Sequence, residues 1–406
     1  MRPTSAIYTG STKPGRETGM GGLNAIIGGM GWAVLGLSVA GISYMVVAAA
    51  TLLSFPHSAA RYARRDDPIT VLKPLCGDEP RLEENLASFL VQDHAGPIQM
   101  LCGVQRADDP AIRVVEQLRR RFPDVRIDLV VDTTAHGANR KVANLINLEP
   151  HIAHGMVALS DSDIVVKPDY LSRLAAALDT PGTGVVTVAY NGRGDGGFWS
   201  RFGAAGLSWQ FLPGVAFGAV HRLARPCMGS TIALRCETLR EIGGFAAFAD
   251  TLADDYALGE AVAELGLAVA LPPMLVTHAS AERTLRQLWR HEVRWGATVR
   301  NVIPAAYVAS VIAMPLPLAL LAAPVHPPVA LACVALALLA RLGAAVAADR
   351  WGGARTAPLW LLPLRDCLTF AVFIGSFAAR SVDWRGTTLK MVERGRIAAE
   401  PEQPSS

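Results

Sequence analysis

Residues 157–166 read V-A-L-S-D-S-D-I-V-V. Val157–Ser160 has the apolar run of a buried strand, and two carboxylates one residue apart, Asp161 and Asp163, follow it. Upstream, Ile69–Leu75, Ile98–Val104 and Ile127–Val131 are similar short runs, Met156–Leu159 leads into the carboxylates, and Arg81–Val91 has helical periodicity. Strands alternating with helical stretches predict an α/β domain built on a parallel sheet with helices on both faces. Ligands of such sheets bind beyond the carboxyl ends of the strands. Asp161-Ser-Asp163 stands at one of those ends, so the carboxylates terminate the strand and do not spoil it.

Two Asp residues so placed can both reach one hard cation, and Mg²⁺ typically takes one or two carboxylates with water and substrate phosphates completing its shell. Asp-Ser-Asp is also ordinary turn chemistry. Other stretches add to the first reading. Lys73-Pro-Leu-Cys-Gly77-Asp-Glu leaves the first strand with the Pro and Gly that permit close approach to a nucleotide. His136-Gly-Ala-Asn139-Arg-Lys141 opens a helix at which Lys141 and the backbone N–H groups can meet phosphate, or simply water. Ala253-Asp254-Asp255-Tyr256 starts the helical stretch Tyr256–Leu265, where the helix dipole alone would account for one acid. Trp289-Arg-His291-Glu-Val-Arg294-Trp295 crowds cations and aromatics just before the membrane; they read as interfacial anchors or as a guanidinium closing on a diphosphate.

The membrane enters through hydropathy. Leu23–Leu53 carries no charge, and about 20 apolar residues cross a bilayer. That stretch predicts an anchor over residues 23–55, after a tail over 1–22 that reads as disordered. A soluble domain follows over 60–300. Ile303–Ala323 and Pro327–Ala348, joined by Pro324-Val-His-Pro-Pro, predict a hairpin through the membrane. Pro358–Ala379 is interrupted by Arg365 and Asp366, each costing about 2.5–3.5 kcal/mol at a bilayer centre, and is expected to lie in the interface or re-enter. Residues 303–379 thus form the membrane helices and 380–406 a basic tail, with 397–406 disordered. Arg61, Arg64 and Arg65 after the anchor and Arg380, Arg385, Lys390, Arg394 and Arg396 in the tail put both on the cytoplasmic side. The net charge of +3 gives no reason to invoke nucleic acid; a basic face against anionic lipid suits it better. Six cysteines without C-x-x-C spacing read as reduced thiols.

In this order the motifs resemble those of membrane-bound family 2 glycosyltransferases and, more closely, of the ceramide glucosyltransferase family. The likeness runs from Val71 to Gly386. It includes L-K-P-L-x-G, G-V-Q-x-x-D-D-P-A-I (Gly103–Ile112), G-x-N-x-K-x-x-N-L (Gly137–Leu145), D-S-D, M-G-S-T-I-A-L-R (Met228–Arg235), I-G-G-F (Ile242–Phe245), A-D-D-Y, R-W and W-R-G (Trp384–Gly386). Leu72–Asn85, H-G-A-N-R-K-V-A-N-L-I-N and W-R-H-E-V-R-W look most like bacterial hopanoid-associated glycosyltransferases, which are similar to enzymes that put N-acetylglucosamine on bacteriohopanetetrol.

The resemblance implies a GT-A fold, a UDP-sugar donor, a lipid acceptor that is a hopanoid or a ceramide, and inversion at the anomeric carbon. It also implies an integral protein of the bacterial inner membrane. Asp161 and Asp163 would hold Mg²⁺ or Mn²⁺, with Asp161 also on the donor; Asp255 would be the general base; Arg294 and Trp295 would stabilise departing UDP. Lys73, Asp108, Lys141 and His291 are the further donor-site candidates. Two positions depart from the family pattern: Arg106 replaces an Asp after V-Q, and His291 stands three residues before Arg294 where Gln or Arg is usual. A processive polysaccharide synthase would need more spans, and an inactive scaffold would not need this set of carboxylates.

Overall fold

The computed structural model describes residues 17–54, 64–225, 227–379, 381–384, 387–392 and 395–399. Seven strands form the main sheet: β1 (Ile69–Pro74), β2 (Ile98–Val104), β3 (Arg126–Val131), β4 (Met156–Leu159), β6 (Thr183–Thr187), β8 (Ile232–Arg235) and β9 (Ala268–Ala270). Their order is β3-β2-β1-β4-β8-β6-β9. β1 pairs in parallel with β2 and β4, whereas β8 is antiparallel to both β4 and β6. The central strands are buried on both faces, which is why they read as unbroken apolar runs rather than alternating ones. This is the α/β architecture of a GT-A domain.

Chain order changes direction between β1 and β4, since β2 and β3 lie to one side and β4 to the other. That is the switch point at which open sheets bind ligands. Ser160 N–H still donates to Leu72 O (3.2 Å), so the ladder ends one residue before Asp161. A second sheet lies beside this exit: β5 (Ile164–Val165), β10 (Leu275–Ser280) and β7 (Ala189–Gly194), with β10 in the middle. Pairing of His278 with Ile164 brings β10 next to the carboxylates.

Helices α2 (Leu82–Ser88), α3 (Ala111–Arg121), α4 (Arg140–Leu148), α5 (Tyr170–Leu178), α8 (Cys236–Glu241) and α9 (Asp254–Glu264) belong to this domain. The aromatic stretch Trp199–Ala224 is helical as far as Val220. It comprises α6 (Phe198–Gly206), a π-helical turn at Leu207–Phe211 and α7 (Leu212–Val220). Helical periodicity is hidden there because both faces are covered. A Cβ on Gly192 would lie 2.5 Å from Ala204 Cα on one side, while Trp209 and Leu212 pack with Leu52 and Ala345 on the other.

Among the described residues, three helices are long and apolar enough to cross a membrane: the Asn24–Ser54 part of α1 (Glu17–Ser54), α13 (Pro327–Gly352), and Leu359–Ser376, which includes α14 (Leu362–Ser376). A fourth segment, Pro304–Ala313 with Pro315–Ala322, passes the same test only as a pair bent by 70°. It holds α11 (Pro304–Ala309) and α12 (Pro315–Ala322), and follows α10 (Leu285–Val302). α1 and α13 run in parallel: Trp32 stacks on His326 (centroids 4.4 Å) at one end, and Leu52 clusters with Ala345 and Ala348 at the other.

Two tail expectations change. α1 already begins at Glu17, within the stretch expected to be disordered. Of the tail, β11 (Ser381–Trp384), β12 (Thr387–Met391) and β13 (Ile397–Ala399) form a sheet, and Ile397 is buried. Leu252 N–H donates to Gly395 O (2.8 Å) and Ile397 N–H to Asp250 O (2.9 Å). Backbone pairing with the domain, invisible in composition, orders this part of a polar segment. Arg385 and Gly386 of W-R-G lie outside the described residues, as do residues 1–16 and 401–406.

Candidate active site

The site is assembled at the exits of β1 and β4. Asp161 and Asp163 follow β4 with about a third of each side chain exposed. Asp161 Oδ1 receives a 2.8 Å ion pair from Lys141 Nζ, which also lies 3.6 Å from Asp254 Oδ2. Lys141 is aimed by its helix start: the Asn139 side chain caps α4 by accepting from Lys141 N–H (3.0 Å) and Val142 N–H (3.2 Å). Asn139 Nδ2 in turn donates to Thr251 O (2.7 Å), just before α9.

Asp255, in the first turn of α9, accepts from Gly229 N–H and Tyr256 N–H, both at 2.8 Å. Gly229 is the hub. A Cβ there would sit 3.2 Å from Lys141 Nζ, 3.3 Å from Asp161 Oδ2 and 3.4 Å from Asp255 Oδ2. Three charged groups from three elements therefore face one spot that a glycine leaves open and any larger side chain would crowd.

Electrostatics divides the carboxylates. Burial and neighbouring Asp254 raise Asp255 to about 6, against the pull of Lys141. Burial also raises Asp161, which Lys141 opposes. Burial would raise Asp163 too, but the His278 imidazole beside it carries it down to about 2. Burial would lower His278, yet the 3.2 Å contact to Asp163 Oδ2 lifts it to about 9. One carboxylate is thus poised as a proton acceptor while another stays ionised. His278 carries no motif signal, because only the β10–β5 pairing brings it to Asp163; a His in the apolar strand Leu275–Ser280 was the one available hint.

Asp163 Oδ1 is buried without a hydrogen-bond partner among the described residues. An orphaned carboxylate oxygen beside a second carboxylate suits a divalent cation, whose remaining ligands would be water and phosphate oxygens. No third His, Cys, Asp or Glu joins them as a metal group among the described residues.

The other expected donor-site residues fall in different places. Lys73 is fully buried: Nζ donates to Asp161 O (2.9 Å) and Ser160 Oγ (3.1 Å) and lies 3.4 Å over the Phe89 ring. Burial lowers its pKa to about 7. It props the β4 exit from beneath, so direct donor contact gives way to a positioning role. Asp108 is exposed and ion-paired to Arg106 at 2.6 Å, outside the carboxylate cluster. Its neighbour Asp109 is the buried acid, accepting from Gly77 N–H (3.0 Å) and Ala111 N–H (2.9 Å), and thereby fixes the β1 exit loop. The D-D pair in sequence did not say which acid turns inward. His291 pairs with Glu282 and packs edge-on against Trp295 (4.4 Å). Trp295 also meets His278 edge-on (6.0 Å), and Arg294 precedes it on α10.

The model for Glycosyl transferase family 21 matches residues 33–397. Ceramide glucosyltransferase 1 of Caenorhabditis elegans is 24% identical over 60% of this chain and 53% of its own length. Ceramide glucosyltransferase 3 of the same organism is 25% identical, over 56% of this chain and 49% of its own length, and the Komagataella phaffii enzyme 28%, over 35% and 30%. The chain spans about half the length, or less, of these curated relatives. Among solved structures, mannosyltransferase PcManGT of Pyrobaculum calidifontis with GDP-Man and Mn²⁺ aligns at TM-score 0.45 and 18% identity, over 84% of this chain and 98% of that one. S. aureus TarS 1-349 with UDP-GlcNAc aligns at 0.39 and 13%, over 82% and 99%.

Proposed function

Because the chain belongs to glycosyl transferase family 21, we propose that it is an inverting enzyme that moves a hexose from a UDP-sugar to a hydroxyl of a neutral membrane lipid. The observation that carries this is Asp255. It is a carboxylate raised to about 6, bound at both oxygens by backbone N–H groups and facing Asp161 and Lys141 across Gly229. The acceptor oxygen attacks the anomeric carbon from the side opposite UDP and its proton passes to Asp255. The carbon–oxygen bond to UDP breaks and the electron pair leaves with the diphosphate. Lys141, held among Asp161, Asp254 and Asp255, offers a fixed positive charge to that diphosphate, and Trp295 packs beside the site against His278 and His291.

Asp161 and Asp163 would hold Mg²⁺ or Mn²⁺, which when bound neutralises charge on the diphosphate. His278 keeps Asp163 ionised for that task.

The lead acceptor is bacteriohopanetetrol with N-acetylglucosamine as the sugar, supported by the wording of H-G-A-N-R-K-V-A-N-L-I-N and W-R-H-E-V-R-W. Ceramide with glucose is the second reading, supported by the relatives that match. Purified enzyme given each donor and each lipid should form product on one of them, and EDTA should abolish it. Product that persists in EDTA would remove the metal role, and no product from any pairing would sink the transferase reading.

Contacts between the helices support one membrane arrangement. α10 and α11 start on the domain side, whereas His326 lies beside Gly28 and Trp32 at the far end of α1. On this reading the bent segment Pro304–Ala322 crosses, and α13 crosses back. α14 lies along α10: Arg365 pairs with Glu292 (2.6 Å), and Tyr307 Oη donates to Ser376 Oγ (2.8 Å) beside Gly296. These contacts support an interfacial placement of the helix despite its length, with the tail back on the domain side; in our reading that side is the cytoplasmic face of a bacterial inner membrane. In a cysteine-depleted background, Pro324→Cys should react with an impermeant maleimide in intact cells and Ser381→Cys only after permeabilisation. The reverse pattern would invert the topology.

A further inference from the structure

A cavity of about 280 Å³ lies between the domain and its membrane helices. Tyr44 and Ala48 of α1, Phe211, Met314, Ala344 of α13 and Val372 of α14 give it a mainly apolar wall. The residues from Asn24 to Tyr44 rise about 30 Å, one hydrocarbon thickness. The cavity therefore sits where lipid headgroups begin on the domain side. Trp295 lines it too, and the same ring meets His278, the partner of Asp163, edge-on. Tyr190 makes a second bridge, packing on Phe211 of the cavity (4.6 Å) and on His278 of the site (6.0 Å).

One edge is polar and densely hydrogen-bonded. Arg341 binds Asp366 through Nε (2.9 Å) and donates to Trp209 O and Ala313 O, both at 3.0 Å. Gln210 donates to Asp366 Oδ1 (2.6 Å) and accepts from Arg365 Nε (3.2 Å), while Arg365 Nη2 serves Glu292 (2.6 Å) and Thr369 (3.0 Å). The one exception is Arg365 Nη1. Arg365 is only 3% exposed and lines the cavity, yet Nη1 has no hydrogen-bond partner among the described residues. A buried guanidinium N–H left unpaired is costly unless something supplies an oxygen. Arg341 and Arg365 are balanced by Asp366 and Glu292, so no surplus cation waits for an anionic headgroup.

We propose that this cavity is the acceptor-lipid site and that it selects a neutral lipid carrying hydroxyl or amide oxygens, one of which accepts from Arg365 Nη1. The inference rests on the transferase reading for the word acceptor, but the occupancy it asserts can be measured without transfer. The apolar wall takes the lipid body, the polar edge holds its oxygenated neck, and the Trp295–Tyr190 wall is what the reacting hydroxyl passes to reach Asp255. A hydroxylated hopanoid and a ceramide share this chemistry.

The test uses the full chain in phosphatidylcholine nanodiscs with no nucleotide sugar. Diazirine-bearing bacteriohopanetetrol, ceramide and phosphatidylglycerol are photolysed in separate samples. At least one neutral lipid should label peptides containing Leu207–Pro213 or Val311–Met314, at about tenfold the yield of phosphatidylglycerol. Which one does so identifies the source. Ala344→Phe, which fills the cavity, should lower that labelling about tenfold while UDP binding in the presence of Mn²⁺ changes by less than about twofold. Should Ala344→Phe not fold, Ala344→Leu serves the same purpose. Arg365→Lys keeps the charge opposite Glu292 but removes Nη1, and should also lower the yield. Equal labelling by phosphatidylglycerol, labels confined to other peptides, or indifference to Ala344→Phe and Ala344→Leu would overturn the assignment. Labelling as expected in a protein that binds no UDP would uphold the cavity and sink the transferase reading instead.

Discussion

Asp255→Asn is expected to lower kcat for sugar transfer by about 10²–10⁴-fold, the range a positioned general base supplies. UDP affinity and the melting temperature should stay close to those of the unsubstituted enzyme. The separation is possible because of what the carboxylate touches. Its oxygens accept from Gly229 N–H and Tyr256 N–H. An Asn side-chain oxygen keeps one of these bonds, so the fold loses about 1 kcal/mol while the proton acceptor disappears entirely.

The pH profile gives a second handle. With Asp255 raised to about 6 by burial and Asp254, the basic form predominates above that value. On the acid side kcat should fall about tenfold per pH unit below it. A profile flat from pH 5 to 8, or an Asn variant with wild-type kcat, would assign the proton to another group.

Much of this site was legible because its chemistry is local in sequence. Asp161 and Asp163 announce themselves by interrupting an apolar run, and Asp254-Asp255 by opening a helix. What was not legible depends on pairing between distant strands or on burial that masks periodicity. His278 reaches Asp163 only because β10 pairs with β5. Asp109 rather than Asp108 turns inward because its carboxylate collects the backbone N–H of Gly77 across the β1 exit. Residues 198–220 lack an amphipathic stripe because the domain covers one face and α1 and α13 cover the other. Arg365 and Asp366 look like obstacles to an apolar helix until Glu292, Arg341 and Gln210 are seen to pair with them, with Arg365 Nη1 alone left over. The tail reads as solvent-seeking, yet its backbone is tied to Asp250 and Leu252, next to the residues that hold Asn139 and so aim Lys141.

Gly229→Val should be nearly as damaging as loss of the base, for a reason that involves no lost functional group. The position lies outside the left-handed region, so a side chain causes no backbone strain there. What it meets is the candidate active site: the first added carbon stands 3.2–3.4 Å from Lys141 Nζ, Asp161 Oδ2 and Asp255 Oδ2. A single methyl can be admitted if these groups yield by a few tenths of an ångström. The two further methyls of valine cannot avoid the space between the base and the carboxylate that faces the donor. Misplacement of reacting groups by about 1 Å can cost about 10²-fold, so Gly229→Val should lose at least that in kcat, with Gly229→Ala intermediate. The loss should appear in kcat more than in lipid labelling of the cavity, which lies beyond Trp295. Graded loss in the order Gly, Ala, Val at constant melting temperature would place the reacting atoms at this spot. Wild-type turnover by the Val variant would mean that Lys141, Asp161 and Asp255 face one another for stability and that sugar transfer takes place elsewhere.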